Sequence, residues 1–283
     1  MKKKIKKILS LLDKKSNYKD KPLLIKKTKK ILLFYKPPFY NMATNIDFNK
    51  DTSEKSKKKS FIYYIKEYLY DNYKIKSLYK NQYNNCHRID IQTSGIIMVS
   101  KRNEDWLNCR EIFHKKDNMI KIYICLVNGL IKKKRNGFIE TFCNIKKGLP
   151  VMCNISNKKR YNRYVSQYCK SYYKVIKVYK YKKKYYSLVM VRIFTGRTHQ
   201  IRIHMKYYLG NSIVSDDRYT TKKEINNNKK IINRVFLHNI FLSYYYDEKQ
   251  YNIYCNLSLP LQKALDKMEL IKSYKYKYKN FYI

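Results

Sequence analysis

Near the middle of the chain, two β-patterned runs lie almost back to back: YYKVIKVYKY at 172–181 and YYSLVMVRIFT at 185–195, with YKKK at the junction. Strands joined across so few residues pair antiparallel as a hairpin, because a parallel return needs a crossover of a dozen residues or more. A second such pair, 235–246 and 249–257, turns around Asp247-Glu248. Adjacent hairpins commit a chain to a largely antiparallel sheet, and the remaining segments must be placed around it.

The run Lys30-Ile31-Leu32-Leu33-Phe34-Tyr35 reads as a buried strand stopped by Pro37-Pro38, so an ordered domain is expected to begin near residue 30. Residues 1–29 are then a basic tail, although Ile5, Ile8, Leu9, Leu11 and Leu12 fall at roughly helical spacing; import signal and RNA-contacting segment are the two readings, and the lack of arginine disfavours the first. A polar loop is expected at 47–60 and a helix at 61–70. GIIMV, 95–99, is a short buried strand, and Asn103 with Glu104 and Asp105 caps a helix whose face carries Trp106, Cys109 and Phe113. Ile120, Ile122, Ile124 and Leu126 alternate with Lys121, Tyr123 and Cys125, the period of a strand, so Lys121 and Tyr123 share the face opposite the isoleucines. Thr198–Leu209 is expected to be helical, with Ile201, Met205 and Tyr208 on one face, His199, Arg202 and Lys206 on another, and Gly210-Asn211 as the stop. Pro260 opens a terminal helix with Leu261, Leu265 and Met268 on one side, and 271–283 is a Lys/Tyr-rich tail. The fold class is therefore α+β, a largely antiparallel mixed β-sheet with flanking helices, over residues 30–270.

Lys and Arg total 64 against 20 Asp and Glu, a net charge of +44, which favours a polyanionic partner through counterion release. An AT-rich coding sequence produces the same surplus of Lys, Asn, Ile and Tyr, so charge supports nucleic acid without proving it. The seven cysteines have neither C-x-x-C pairing nor zinc-type C…H spacing, which reads as reduced thiols in an intracellular protein. No apolar run approaches the ~20 residues of a membrane span, so a soluble protein of cytoplasm, nucleus or organelle is expected.

Only 6 glycines occur, and three of them fall in two segments fit for chemistry. In HRIDIQTSG, 87–95, two basic side chains precede Asp90, and a Thr93-Ser94-Gly95 turn leads into the strand GIIMV. An acid on a loop at a strand root can be held rigidly against a substrate, but a turn aspartate has the same pattern. TGRTHQIRIHMKYYLG, 195–210, supplies Arg197, His199, Arg202 and Lys206, which suit phosphate or merely water. Lys121-x-Tyr123 and Leu237-His238 complete the set; a lone Tyr among 32 and a lone His at a strand start are more often structural.

Taken in order over roughly 31–262, these segments resemble the RluA-like RNA pseudouridine synthases. HRIDIQTSG is similar to the family signature HRLDxxTSG around its catalytic aspartate, with Ile89 for Leu. KIYICLVNG, 121–129, resembles K-x-Y-x-A-x-V-x-G, and TGRTHQIRIH resembles GRTHQIRVH. CKSYY, 169–173, stands where A-x-T-x-Y is usual, and LGNSIVSDDRY resembles LGHPIxGDxxY with Asn211, Ser212 and Ser215 replacing His, Pro and Gly. LHNIFLSY resembles LHAxxLxF, and LSLPLQ the closing apolar-Pro segment. The opening motif N-K-P-x-G departs most: this chain has Tyr35-Lys36-Pro37-Pro38-Phe39, with no glycine.

The resemblance implies a pseudouridine synthase fold with a central catalytic cleft, a flipped-out uridine in structured RNA (rRNA or tRNA) as substrate, and no cofactor or metal; a monomer is expected. By that match Asp90 is the catalytic carboxylate, Arg202 its pairing arginine and Tyr123 the ring that stacks on the base. His87, Arg88, Thr93, Lys121, Arg197, His199, Lys206 and His238 are expected to contact RNA or base. Two rivals remain: a basic RNA-binding or ribosome-associated protein with this fold and no catalysis, and an RNA glycosidase or nuclease. For the last, no second carboxylate stands in a matching segment.

Overall fold

The computed structural model describes residues 2–42, 59–75, 83–114, 119–146, 149–153 and 166–274. In chain order the elements are α1 (Lys2–Leu12), β1 (Leu23–Lys27), β2 (Ile31–Lys36), α2 (Phe61–Tyr73), β3 (Ser94–Ser100) and α3 (Trp106–His114). They continue through β4 (Met119–Asn128), β5 (Asn136–Lys146), β6 (Leu149–Cys153), β7 (Gln167–Tyr181), β8 (Lys184–Ile193) and α4 (Gln200–Ile203). A π-helical turn, His204–Tyr208, extends α4. Then follow α5 (Lys222–Lys229), β9 (Leu237–Tyr246), β10 (Lys249–Tyr254), α6 (Leu259–Asp266) and β11 (Glu269–Ser273). The contacts divide the chain into two units, one of residues 11–119 and 239–259, the other of 1–10, 120–238 and 260–283.

In the first unit β1, β2 and β3 pair antiparallel, Phe34 opposite Ile97 and Lys36 opposite Gly95, while β10 pairs β9. Both β2 and β3 are buried along their whole length, which explains why ILLFY and GIIMV are continuous apolar runs rather than alternating ones. Leu32, Phe34, Ile97 and Val99 pack with Phe61, Ile65 and Leu69 of α2, spaced four apart on one helical face. Leu33, Tyr35, Ile96 and Met98 pack on the other side with Cys109, Leu242, Tyr244 and Ile253. Each such large apolar side chain contributes about 1.5–3 kcal/mol on burial. Ser60 starts α2 by accepting the Tyr63 N–H, and Lys74 ends it in the left-handed region, φ 56°, donating to the Tyr70 carbonyl.

In the second unit the strand order is β4-β8-β7-β5-β6, all antiparallel in these ladders. The 15-residue β7 serves two partners on one edge, β5 along 167–174 and β11 along 177–180, with a bulge near 175–177 between them. The β7–β8 and β9–β10 hairpins turn through Lys182 and through Asp247-Glu248, all in the left-handed region, as short hairpin turns require.

Three expectations change. Residues 1–29 are not a bare tail: α1 buries Ile5 and Ile8, β1 lines the edge of β2, and Tyr18 packs on Tyr35 at 4.7 Å between ring centroids. Residues 269–273 form strand β11 instead of opening a tail. Helix α4 starts at Gln200 and passes into a π turn, short of the regular helix expected over 198–209; Gly210, φ 78°, is the stop. The expected loop at 47–60 lies almost wholly outside the described residues, as do 275–283. No helix among the described residues is long and apolar enough to cross a membrane.

Candidate active site

Asp90 lies in the first unit, half-buried on the loop that enters β3. The Asp90 carbonyl accepts the Thr93 N–H at 3.0 Å, closing the turn, and the Ile91 carbonyl accepts the Phe39 N–H at 2.7 Å. Beneath this loop is the fully buried side chain of Lys36, a residue the sequence reading passed over. Its Nζ donates to the carbonyls of Pro37 (3.0 Å), Asp90 (3.4 Å), Ile91 (3.2 Å) and Thr93 (2.9 Å). A buried ammonium is costly unless its donors are satisfied, and here the backbone of the Asp90 turn satisfies them. Phe39, at the position where the family has glycine, has φ 65°, in the left-handed region that glycine adopts most readily.

Gly95, φ 133°, closes the loop; a Cβ there would lie 2.5 Å from the Asn239 carbonyl oxygen, so only glycine fits. His87 accepts the Met98 N–H on Nε2 at 3.0 Å, which ties the start of the segment to β3. Arg88 is exposed and Thr93 buried.

The other segments lie in the second unit. Arg202 is buried and its guanidinium grips Asp216 bidentately, Nε to Oδ2 at 2.8 Å and Nη2 to Oδ1 at 2.7 Å, with Asp217 at 3.5 Å. Asp216 is wholly buried and also accepts the Arg218 N–H, so three N–H groups converge on one carboxylate. Sequence reasoning gave Asp216 no role, although it stands in the SDD run matched to GDxxY. Ser215 just before it has φ 58° where the family has glycine, and its Oγ donates to the Ile232 carbonyl. Asn211, at the family's histidine position, donates to the Asn128 carbonyl at 2.8 Å, and Asn128 donates back to Ser212.

Gln200 is the third residue missed. Its Oε1 accepts from Thr195 Oγ1 and the Arg197 N–H, and its Nε2 donates to the Lys170 carbonyl and Ser171 Oγ, so one amide fastens the TGRTHQ turn to β7. Tyr219 Oη donates to the Pro150 carbonyl at 2.9 Å, which leaves it accepting from His199 Nδ1 at 2.8 Å; the His199 tautomer is then Nδ1–H. Arg197 is exposed and Lys206 half-exposed, whereas His238 is fully buried.

On β4, Tyr123 lies opposite Val191 and Lys121 opposite Ile193, so both occupy one face as the alternation predicts, and both are buried. Burial pushes the Lys121 ammonium down to about 8. His204 is pushed down to about 4 by burial and is held neutral between Thr141 Oγ1 and Ser171 Oγ. Its ring, Cys143 and Cys169 bring potential ligand atoms within 4.8 Å of one another, a grouping that linear spacing did not reveal. Both ring nitrogens are engaged by hydroxyls and the two sulfurs lie 2.9 Å apart, so a soft metal ion would have to displace Thr141 or Ser171 and spread the thiols.

The sequence profile described as RNA pseudouridylate synthase matches residues 30–207, most of the chain. A ribosomal large subunit pseudouridine synthase C of Buchnera aphidicola subsp. Schizaphis graminum is 31% identical over 169 residues, 57% of this chain and 48% of that protein. An uncharacterized RNA pseudouridine synthase of Helicobacter pylori is 28% identical over 223 residues, 77% of this chain and 69% of the relative. The chain thus spans about half the length of the first curated relatives it matches. In fold it is similar to human RNA pseudouridylate synthase domain containing 4 (TM-score 0.65, 16% identity, 87% of this chain and 93% of that one) and domain containing 1 (TM-score 0.65, 18% identity, 91% and 92%). A profile matched over more than half of the residues, on a fold shared with solved members, makes this chain a member of the RNA pseudouridylate synthase family.

Proposed function

We propose that this protein isomerises uridine to pseudouridine in RNA, with Asp90 as the group that attacks or deprotonates the flipped-out nucleotide. The observation that carries the reading is the loop of Asp90: its backbone is fixed by three carbonyl contacts to Lys36, at Asp90, Ile91 and Thr93, and its turn is closed by the Thr93 N–H on the Asp90 carbonyl. An acid on so fixed a backbone meets the requirement that a reacting group be held within a fraction of an ångström of its target.

The reaction breaks the bond from ribose C1′ to uracil N1, rotates the base and rejoins it through C5, with no outside reactant. Arg202 is proposed to pair with Asp90 as well as with Asp216; a guanidinium has five N–H donors, more than one carboxylate can use. Tyr123 is proposed to stack on the extruded base and return about 1–3 kcal/mol of the few kcal/mol that flipping costs. Arg88, Arg197 and Lys206 serve the phosphates, which gives affinity rather than sequence choice. Relatives named for the large ribosomal subunit make its RNA the first substrate to test.

Release of tritium from RNA made with 5-tritiated uridine separates this reading from a non-catalytic RNA-binding protein of the same fold. The enzyme liberates tritium in proportion to pseudouridine mapped in the product; binding without release would overturn the proposal.

A further inference from the structure

The two faces of the β5–β7–β8 ladder differ. On one, Ile139, Cys169, Ser171 and Val191 are buried. On the other, the register sets Phe138 opposite Tyr172 and Tyr172 opposite Arg192, with Glu140 opposite Lys170 and Phe142 opposite Tyr168. The Phe194 N–H donates to the Lys170 carbonyl, so its ring joins the same row.

Where a solvated sheet face ordinarily carries polar side chains, this one carries rings. Phe138 is 39% exposed and lies 5.0 Å from Tyr172 and 6.0 Å from Phe194 between centroids; Phe142, Tyr168 and Phe194 are partly exposed. Cations sit among them. Lys170 lies over Phe138 and Phe194, and the Arg192 guanidinium stacks on Phe194 at 4.3 Å, its Nε without a hydrogen-bond partner among the described residues. The acid in the row, Glu140, is held by Lys170 at 2.9 Å and by the Tyr168 hydroxyl at 2.7 Å. Arg197 extends the cationic edge, its Nε donating to the Tyr168 carbonyl.

We infer that this face, on the side of the sheet opposite Tyr123, is a stacking platform for single-stranded bases of the RNA substrate beyond the modified uridine, with Arg192 and Arg197 taking the phosphates; the inference rests on the reading of the chain as an enzyme acting on RNA. Rings interleaved with cations suit a partner that offers a π face and a negative charge at every step, as a single strand does. A second copy of this chain brings the same +44 charge to the contact and is repelled.

The test is fluorescence anisotropy of the full chain with a labelled 12-nucleotide single-stranded oligouridylate, for wild type, Phe138→Ala/Phe194→Ala and Phe138→Tyr/Phe194→Tyr. The alanine pair is expected to weaken binding roughly tenfold or more with an unchanged salt slope, and to raise KM for long RNA by a similar factor while kcat stays within about twofold. The tyrosine pair keeps wild-type affinity, which separates stacking from a folding defect. Wild-type affinity in the alanine pair, or equal weakening in both pairs, would overturn the platform. If wild type released no tritium, the reaction would fall, and the anisotropy series alone would decide the platform.

Discussion

Two buried cations anchor the two halves of the proposed chemistry, by different means. Lys36 is held by backbone carbonyls of the Asp90 turn, whereas Arg202 is held by the side-chain carboxylate of Asp216. In the first case the anchoring is to main-chain carbonyls and reads nothing from side-chain identity. In the second, a residue proposed to touch Asp90 also closes a buried ion pair, and chemistry and stability are coupled in one guanidinium.

The coupling predicts unequal costs. Asp216→Asn strands a buried guanidinium without its carboxylate and is expected to lose about 3–5 kcal/mol in denaturant unfolding. A loss below about 1 kcal/mol would mean that Arg202 is anchored elsewhere. Lys36→Met removes one charge and leaves carbonyls unsatisfied, an expected loss of about 2–3 kcal/mol. Its sharper signature is faster hydrogen exchange at the Thr93 and Phe39 amides, which bond the same turn; unchanged exchange there would refute Lys36 as the anchor of the loop.

Lys121, whose pKa burial alone pushes down, is a third buried cation and a control for the other two. Its folded value, about 8, lies below the ordinary 10.5, so between those limits the unfolded chain binds more protons and stability rises with pH. Lys121→Met is expected to be more stable than wild type by about 2 kcal/mol at pH 7, a gap that closes toward pH 10.5. Parallel stability curves for the two proteins would show that Lys121 is better compensated than its burial implies.

The smallest effects concern two positions where the family has glycine. Phe39 and Ser215 both hold positive φ. Phe39→Gly is expected to gain about 0.5–1 kcal/mol by relieving a left-handed phenylalanine, less the entropy glycine adds to the unfolded chain. Ser215→Gly gains less, because the hydroxyl bond to the Ile232 carbonyl is lost with the strain. Equal gains at both sites would remove that hydrogen bond from the account.

The same contrast explains what the sequence made legible. Strands with a strong apolar period or run, β2, β3, β4, β7 and β8, were readable, as were the β7–β8 and β9–β10 hairpins. Edge strands β1 and β11 were not: LLIKK and ELIKS are lysine-bearing and largely exposed, the usual protection of a free edge, and they look like tail. β5 was hidden because its buried face uses small Thr141 and Cys143, while its rings face outward. Among the proposed site residues, motifs pointed to Asp90, Arg202 and Tyr123. Lys36 was one lysine in a chain full of them, and its partners are carbonyls, which leave no mark in sequence. Asp216 and Gln200 stood inside quoted motifs, but their roles depend on contacts 14 and 29 residues away.

The central claim is that Asp90 performs chemistry on a backbone others hold in place. Its most direct test is tritium release by Asp90→Asn beside RNA affinity measured on the same preparation. The account predicts release at background with affinity within a few fold of wild type; release at the wild-type rate would contradict it.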